Sequence, residues 1–231
     1  MRVIGLLGGM SWESTAQYYR MINQEVRRRL GRQHSAKIVM YSVDFEEIEQ
    51  LQSADDWETA GRVLADAAKG VERGGADFLV LCTNTMHKVA PAIEKAIDIP
   101  LIHIADATAE TVVQAGLRCV GLLGTRFTMQ EDFYKGRLAE RHGLEVLVPP
   151  AADQEIVDRV IYDELCLGEI LEESRREYVR IIRELGDRGA KGIILGCTEI
   201  GLLVRPEDTS LTVFDTTRVH SAKTVEMALS D

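Results

Sequence analysis

Two glycine-led apolar runs, each ending in a small polar residue, constrain this chain more than any other feature in it. The first is Asp77-Phe-Leu-Val-Leu-Cys-Thr-Asn-Thr-Met-His87, preceded by Gly74-Gly75. The second is Gly189-Ala-Lys-Gly-Ile-Ile-Leu-Gly-Cys-Thr-Glu-Ile200. A short apolar run of this kind suits an interior strand of a parallel sheet, buried on both faces. The polar residues then fall at the strand's carboxyl end, where open α/β sheets place their ligands. Laying Gly75-Ala76 on Gly189-Ala190 brings Thr83 onto Cys197.

The rest of the chain reads as the frame for these two ends. Val3–Leu7 is expected as the first strand, with Gly8-Gly9 as a turn. Ser11 or Ser14 then caps a helix that runs to about Leu30. Lys37–Val43 reads as the second strand, residues 46–56 as an acidic loop, and Val63, Leu64, Ala67, Ala68 and Val71 as one face of a helix. Phe78–Leu81 is the third strand, followed by a helix to about Ile97, a fourth strand over 99–103 and a helix over 105–115. Then the pattern restarts: Cys119-Val-Gly-Leu-Leu-Gly-Thr125 mirrors Val3-Ile-Gly-Leu-Leu-Gly-Gly9. Strands over 144–148, 192–195 and 211–215 mirror the other three, and Asp215-Thr-Thr217 answers Asp106-Ala-Thr108. The expected fold is therefore α/β, with two pseudo-symmetric, doubly wound parallel-sheet domains and the active site in the cleft between them. Residues 1–100 with 210–231 are expected as the first domain and 101–209 as the second. The helix over 217–229 packs back on the first half in this reading.

Charge and cysteine usage narrow the function. The 231 residues carry a formal net charge of -10, which argues against nucleic acid and anionic membranes as partners. Cys82, Cys119, Cys166 and Cys197 have no paired spacing, so neither a disulfide framework nor a zinc site is suggested. The apolar start of the chain is short, broken by glycine and followed by Trp12-Glu13 rather than a cleavage site. No run approaches the roughly 18 apolar residues of a membrane span. A cytoplasmic, soluble protein is expected.

Several polar residues have plain structural readings. Gly5-x-x-Gly8-Gly9 follows a strand and Asp44 ends the next, but the dinucleotide spacing is absent and a tight turn explains the glycines as well. His34 and His142 are expected in solvent, and His103 in the core. Cys119 and Cys166 read as small core residues, Trp57 as a helix anchor, and residues 172–188 as a solvated helix face.

Thr83 and Cys197 together support a sharper reading. Two groups at duplicated strand ends suit proton removal from one face of a carbon and delivery to the other. A thiol, with a free pKa near 8.5, is readily tuned toward neutrality. Helices opening after Thr85 and Thr198 offer backbone N–H groups that hold a carboxylate without a cofactor.

The motifs Gly8-Gly-Met-Ser-Trp-Glu-Ser-Thr15, Cys82-Thr-Asn-Thr-Met-His87, Gly124-Thr-Arg-Phe-Thr128 and Gly196-Cys-Thr-Glu199 span nearly the whole chain. Through them the sequence resembles the cofactor-independent aspartate/glutamate racemases. The resemblance implies a homodimer, no pyridoxal phosphate, no metal and two-base racemisation of a small acidic amino acid. It assigns Thr83 and Cys197 as catalytic residues. Met10, Gln52, Asn84, Thr85, Thr125, Arg126, Thr198 and Glu199 become the substrate-binding set, with Glu199 orienting the amine or tuning Cys197.

Two departures stand out. The family usually has Cys where this chain has Thr83, and Cys82, one residue early, points to the other face of the strand. Many members also carry an Arg after the second strand, where this chain has Glu46, Glu47, Glu49 and Gln52. Gln52 and Arg126 are the candidates for holding the side-chain carboxylate. Two other classes fit the same residues: a cofactor-free decarboxylase or isomerase of dicarboxylates using the single Cys197, and a non-catalytic amino-acid-binding module.

Overall fold

A computed structural model describes residues 1–230 of the chain. They form two compact units, one comprising Met1–His103 with the chain from His220 on, the other Ile104–Val219.

The first unit is built on four parallel strands, β1 (Ile4–Gly8), β2 (Ile38–Ser42), β3 (Phe78–Leu81) and β4 (Leu101–Ile102), in the order β2-β1-β3-β4. Between them run α1 (Trp12–Leu30), α2 (Phe45–Ser53), α3 (Trp57–Arg73), a 3₁₀ turn over Thr85–Val89 and α4 (Ala90–Glu94). The second unit begins with α5 (Ile104–Gln114) and is built on β5 (Cys119–Gly124), β6 (Glu145–Leu147), β7 (Gly192–Gly196) and β8 (Thr212–Asp215). Its order, β6-β5-β7-β8, repeats that of the first. Its helices are α6 (Arg126–Gln130), α7 (Lys135–His142), α8 (Ala151–Asp163), α9 (Glu172–Asp187) and α10 (Ile200–Leu203); α11 (Thr216–Leu229) begins in it and from His220 on belongs to the first unit. Single 3₁₀ turns follow α8 and α10, at Leu165–Leu167 and Pro206–Asp208. The expected α/β class with two doubly wound parallel sheets is what the chain adopts.

The central strands of both sheets, β1 and β3 in the first and β5 and β7 in the second, are buried on both faces. In the first, Leu79 and Leu81 of β3 pack with α3 residues Leu64, Ala67, Ala68 and Val71. Phe78, Val80 and Cys82 pack on the other side with Tyr18, Ile22 and Val26 of α1 and with Val225 and Ala228 of α11. The expected return of the last helix to the first half is therefore real. The alternation of side chains along a strand makes Cys82 continue the α1 side, whereas Thr83 continues the row of Leu79 and Leu81. In the second sheet Ile193 and Leu195 of β7 pack against Val157, Tyr178, Ile181 and Leu185, with Cys197 at the edge of that cluster.

Some expectations need correction. The supposed acidic loop is largely α2, because Asp44 caps it through Glu46 N–H and Ile48 and Gln52 turn to the core one helical turn apart. The helix expected after β3 is a 3₁₀ turn followed by five residues of α4. The segment over 172–188 is two-sided: Tyr178, Ile181, Ile182 and Leu185 of α9 are buried. His142 is not simply solvated; its Nε2 lies 3.1 Å from Asp106 Oδ1, and Arg137 binds the same carboxylate through two N–H groups. Cys119 and Cys166 are only half-buried. The boundary expected at residue 210 falls ahead of β8, yet β8 is hydrogen-bonded to β7, and the chain rejoins the first unit only at His220.

Among the described residues no helix is long and apolar enough to cross a membrane. Among them, too, no group of three or more His, Cys, Asp or Glu side chains is placed to hold a metal ion.

Candidate active site

The glycines after β1 are spent on packing. A Cβ on Gly8 would meet the Thr15 side chain at 2.4 Å, and one on Gly9, whose φ is +96°, would meet the Val43 carbonyl at 2.2 Å. Gly8-Gly9 thus lets the first turn of α1 close over the end of β1, and Asp44 is occupied with capping α2. The dinucleotide reading has no support in this geometry.

Ser11 caps α1 through Ser14 N–H, and Thr15 Oγ1 accepts from Gly9 N–H at 2.8 Å. Ser14 Oγ in turn donates to the Cys82 carbonyl at 3.1 Å. The amino end of a 19-residue helix is thereby tied to the carboxyl end of β3, beside Thr83. Thr83, Asn84 and Thr85 are all buried there. Met10 is buried beside the same turn, and Gln52 donates its amide N–H to Met86 Sδ at 2.8 Å. Thr83 is held through its main chain: its N–H donates to the Leu81 carbonyl, and its carbonyl accepts from His87 Nδ1 at 2.7 Å.

Cys82 is excluded as the missing catalyst. Its residue is fully buried, its thiol points back toward the Val80 carbonyl, and burial pushes the thiol far above its ordinary range.

In the second unit, Leu123 is paired with Leu195 and Gly124 with Gly196, just as Leu7 is paired with Leu81. Cys197 therefore stands at the same ladder position in its sheet as Thr83 in the first. Thr125, capping α6 by accepting from Thr128 N–H, follows the neighbouring strand. Cys197 Sγ donates to Glu199 Oε2 at 3.0 Å, and Thr198 Oγ1 donates to the same oxygen at 2.5 Å. Burial first, then the negative charge of Glu199, push the Cys197 thiol well above its ordinary value. The residue is only half-buried, so its desolvation is partial, but the charge of Glu199 acts in the same direction. The sequence reading of a thiolate near neutrality is corrected accordingly: Cys197 rests as a thiol whose proton already faces a carboxylate.

Arg126 is exposed. Its backbone N–H donates to Asp158 Oδ1 at 2.7 Å, and its side chain lines a cavity of about 480 Å³ with Gln130, Gln154, Asp158, Arg159 and Tyr162. Arg159 was not singled out in the sequence. The signal for it was faint: only the shared face of Gln154, Asp158 and Tyr162 along α8 pointed to a polar lining there. The helices expected to open after Thr85 and Thr198 are a 3₁₀ turn leading into the short α4 and the four-residue α10, so individual N–H groups rather than extended helix ends serve these positions.

Comparison with known proteins agrees with this architecture. Residues 7–224 match the model of the Asp/Glu/hydantoin racemase family. The structure of a proposed Asp/Glu racemase from Yersinia pestis is 56% identical, with 100% of both chains covered and a TM-score of 0.94. An aspartate racemase homologue from Pyrococcus horikoshii OT3 is 36% identical, again over 100% of both chains, with a TM-score of 0.87. The broad specificity amino-acid racemase RacX of Bacillus subtilis (strain 168) is 25% identical over 148 residues, which is 63% of each chain. The match thus spans less than two thirds of that relative's length.

Proposed function

This chain belongs to the Asp/Glu/hydantoin racemase family, and on that premise we propose that it is an isomerase interconverting the enantiomers of aspartate or glutamate without a cofactor. The observation that supports this most directly is the ladder equivalence of Thr83 and Cys197, a duplicated strand end carrying a proton-transfer group in each unit.

The proposed course begins with the thiol. Cys197 passes its proton across the 3.0 Å hydrogen bond to Glu199, and the resulting thiolate takes the α-proton from one face of the substrate. Asn84, Thr85 and Thr198, with neighbouring backbone N–H groups, hold the α-carboxylate and offset charge as the carbanion develops. Thr83, or a water it orients, returns a solvent-derived proton to the other face. An aliphatic hydroxyl is a poor base at neutral pH, so abstraction from the Thr83 side is the slow direction. Arg126 and Gln52 are assigned to the side-chain carboxylate. RacX is described as broad in specificity, so other amino acids belong in any substrate panel. The working form in this proposal is a cytoplasmic homodimer with two domains, the first of which includes the end of the chain.

The test is to incubate the protein in deuterated water with each enantiomer of aspartate, glutamate and a panel of other amino acids. Deuterium incorporation at Cα, accompanied by formation of the opposite enantiomer, is expected for at least one acidic amino acid. Saturable binding with no exchange over long incubation would favour a binding module. Loss of a carboxyl group from a dicarboxylate without racemisation would favour a decarboxylase.

A further inference from the structure

Behind Thr83 the first unit contains a layer of imidazoles that the proposed mechanism leaves unused. His87, only 1% exposed, has its ring centroid 4.5 Å from that of His103 and 6.0 Å from that of His220. His103 and His220 are themselves buried. His103 is the last residue of the first unit before the chain leaves it, and His220 is the first on its return.

The protonation of this layer follows from its partners. A carbonyl oxygen only accepts, so His87 Nδ1 must carry the proton that it gives to the Thr83 carbonyl at 2.7 Å. By the same reasoning His220 Nε2 donates to the Ile102 carbonyl at 2.9 Å; burial disfavours the charged ring, so Nδ1 of the neutral imidazole accepts from Tyr18 O–H at 2.8 Å. His220 is thus a neutral ring wedged between β4 and α1.

We propose that His87 is the positioning residue for Thr83, the reaction's second acid-base group; the inference rests on the racemase reading above. Thr83 sits just past the last paired residue of β3, beyond the ladder hydrogen bonds that hold the strand. The two peptide groups flanking its Cα are instead fixed, one by Leu81 through the Thr83 N–H and the other by the His87 imidazole through the Thr83 carbonyl. Rotation of either peptide would swing the side chain, and proton delivery requires the donor within hydrogen-bond reach of the α-carbon's open face. The rings of His103 and His220, tilted 59° and 63° to that of His87, pack against it and hold it against rotation, so the aim of Thr83 is set from behind. Asn places its side-chain N–H close to where Nδ1–H of His stands, whereas Gln places its own near Nε2 and Ala has none.

The experiment compares His87→Ala, His87→Asn and His87→Gln by two exchange products in deuterated water: α-deuterium with inversion, and α-deuterium with retention from the Cys197 face alone. Inversion is expected to fall at least about tenfold in the Ala and Gln variants, the scale of a reacting group displaced by a fraction of an ångström. Exchange with retention should stay within about threefold of the parent, and Asn should restore inversion. A purely structural role would lower both products together, without rescue by Asn; that result overturns the proposal. The second measurement is independent of turnover. The Thr83 carbonyl-carbon resonance should shift in the Ala variant and return in the Asn variant, and an unmoved resonance also overturns the proposal. If the parent shows no exchange with any amino acid, the racemase reading fails by itself, while the resonance still decides whether His87 holds Thr83.

Discussion

Cys197 Sγ lies 3.0 Å from Glu199 Oε2, so the thiol proton is already shared with a carboxylate that also takes a hydrogen bond from Thr198. The same carboxylate opposes and assists the chemistry: its charge disfavours the thiolate, yet it is positioned to receive the proton that must leave.

Glu199→Gln should therefore have two effects of opposite appearance. Removing the negative charge lowers the pH at which Cys197 ionises, because a cause of its raised pKa is gone. Removing the acceptor lowers turnover by about a hundredfold or more. The check is the pH dependence of alkylation of the Cys197 peptide, followed by mass spectrometry, beside saturating initial rates. An alkylation profile that does not move to lower pH, or turnover that survives, would remove Glu199 from the proposed role.

Cys197→Ser should cut α-hydrogen exchange by on the order of a thousandfold or more, since a hydroxyl beside Glu199 ionises far less readily than a thiol. The fold should persist, because the side chain is at the edge of its cluster and its volume changes little. Exchange rates and far-ultraviolet dichroism measured on the same sample separate the two; exchange at the parent rate would show that the base lies elsewhere.

Thr83→Cys should even out two directions that are unequal in the parent. At equilibrium the enantiomers are equally abundant, so the two values of kcat/KM must match. The asymmetry therefore shows as lower kcat with correspondingly lower KM for one enantiomer. A thiol at position 83 ionises within reach of neutral pH, where a hydroxyl does not, and should raise the slower kcat by about tenfold. Saturating rates and α-deuterium washout from each enantiomer measure this. A parent that is already symmetric would take Thr83 out of the acid-base role.

His220 links stability to pH. Burial lowers its pKa to about 4, against an ordinary value near 6.5. Between these values the unfolded chain binds a proton that the folded chain does not, so stability falls as pH drops from about 6.5 through about 4. The full contribution, on the order of 3 kcal/mol, is present above that window. His220→Gln keeps an N–H for the Ile102 carbonyl but cannot titrate there. Urea unfolding at several pH values should show a shallower acid loss for this variant; equal slopes for variant and parent would contradict the assignment.

The duplicated strand ends, the parallel α/β class and the correspondence of Thr83 with Cys197 were all legible in the chain. They rest on local signals: short apolar runs, glycine before them and polar residues after them. The inward facing of Cys82 was legible for the same reason, since alternation along a strand is a local rule. Residues 46–56 were misread because their acidic side chains hide a core stripe one turn apart, Ile48 and Gln52, which only the packing against α3 explains.

Tertiary structure alone decided the chemistry of the site. Nothing in Gly196-Cys-Thr-Glu199 says whether the glutamate raises or lowers the thiol's pKa; that depends on how much water remains around the sulfur and where the carboxylate points. Nor does the chain announce that His87, four residues beyond Thr83, turns back to its carbonyl while His103 and His220, far apart in sequence, close around it. Strand and helix are set by near neighbours, and residue spacing records them. Protonation and aim are set by burial and by partners that folding brings together, and these exist only once each unit has folded.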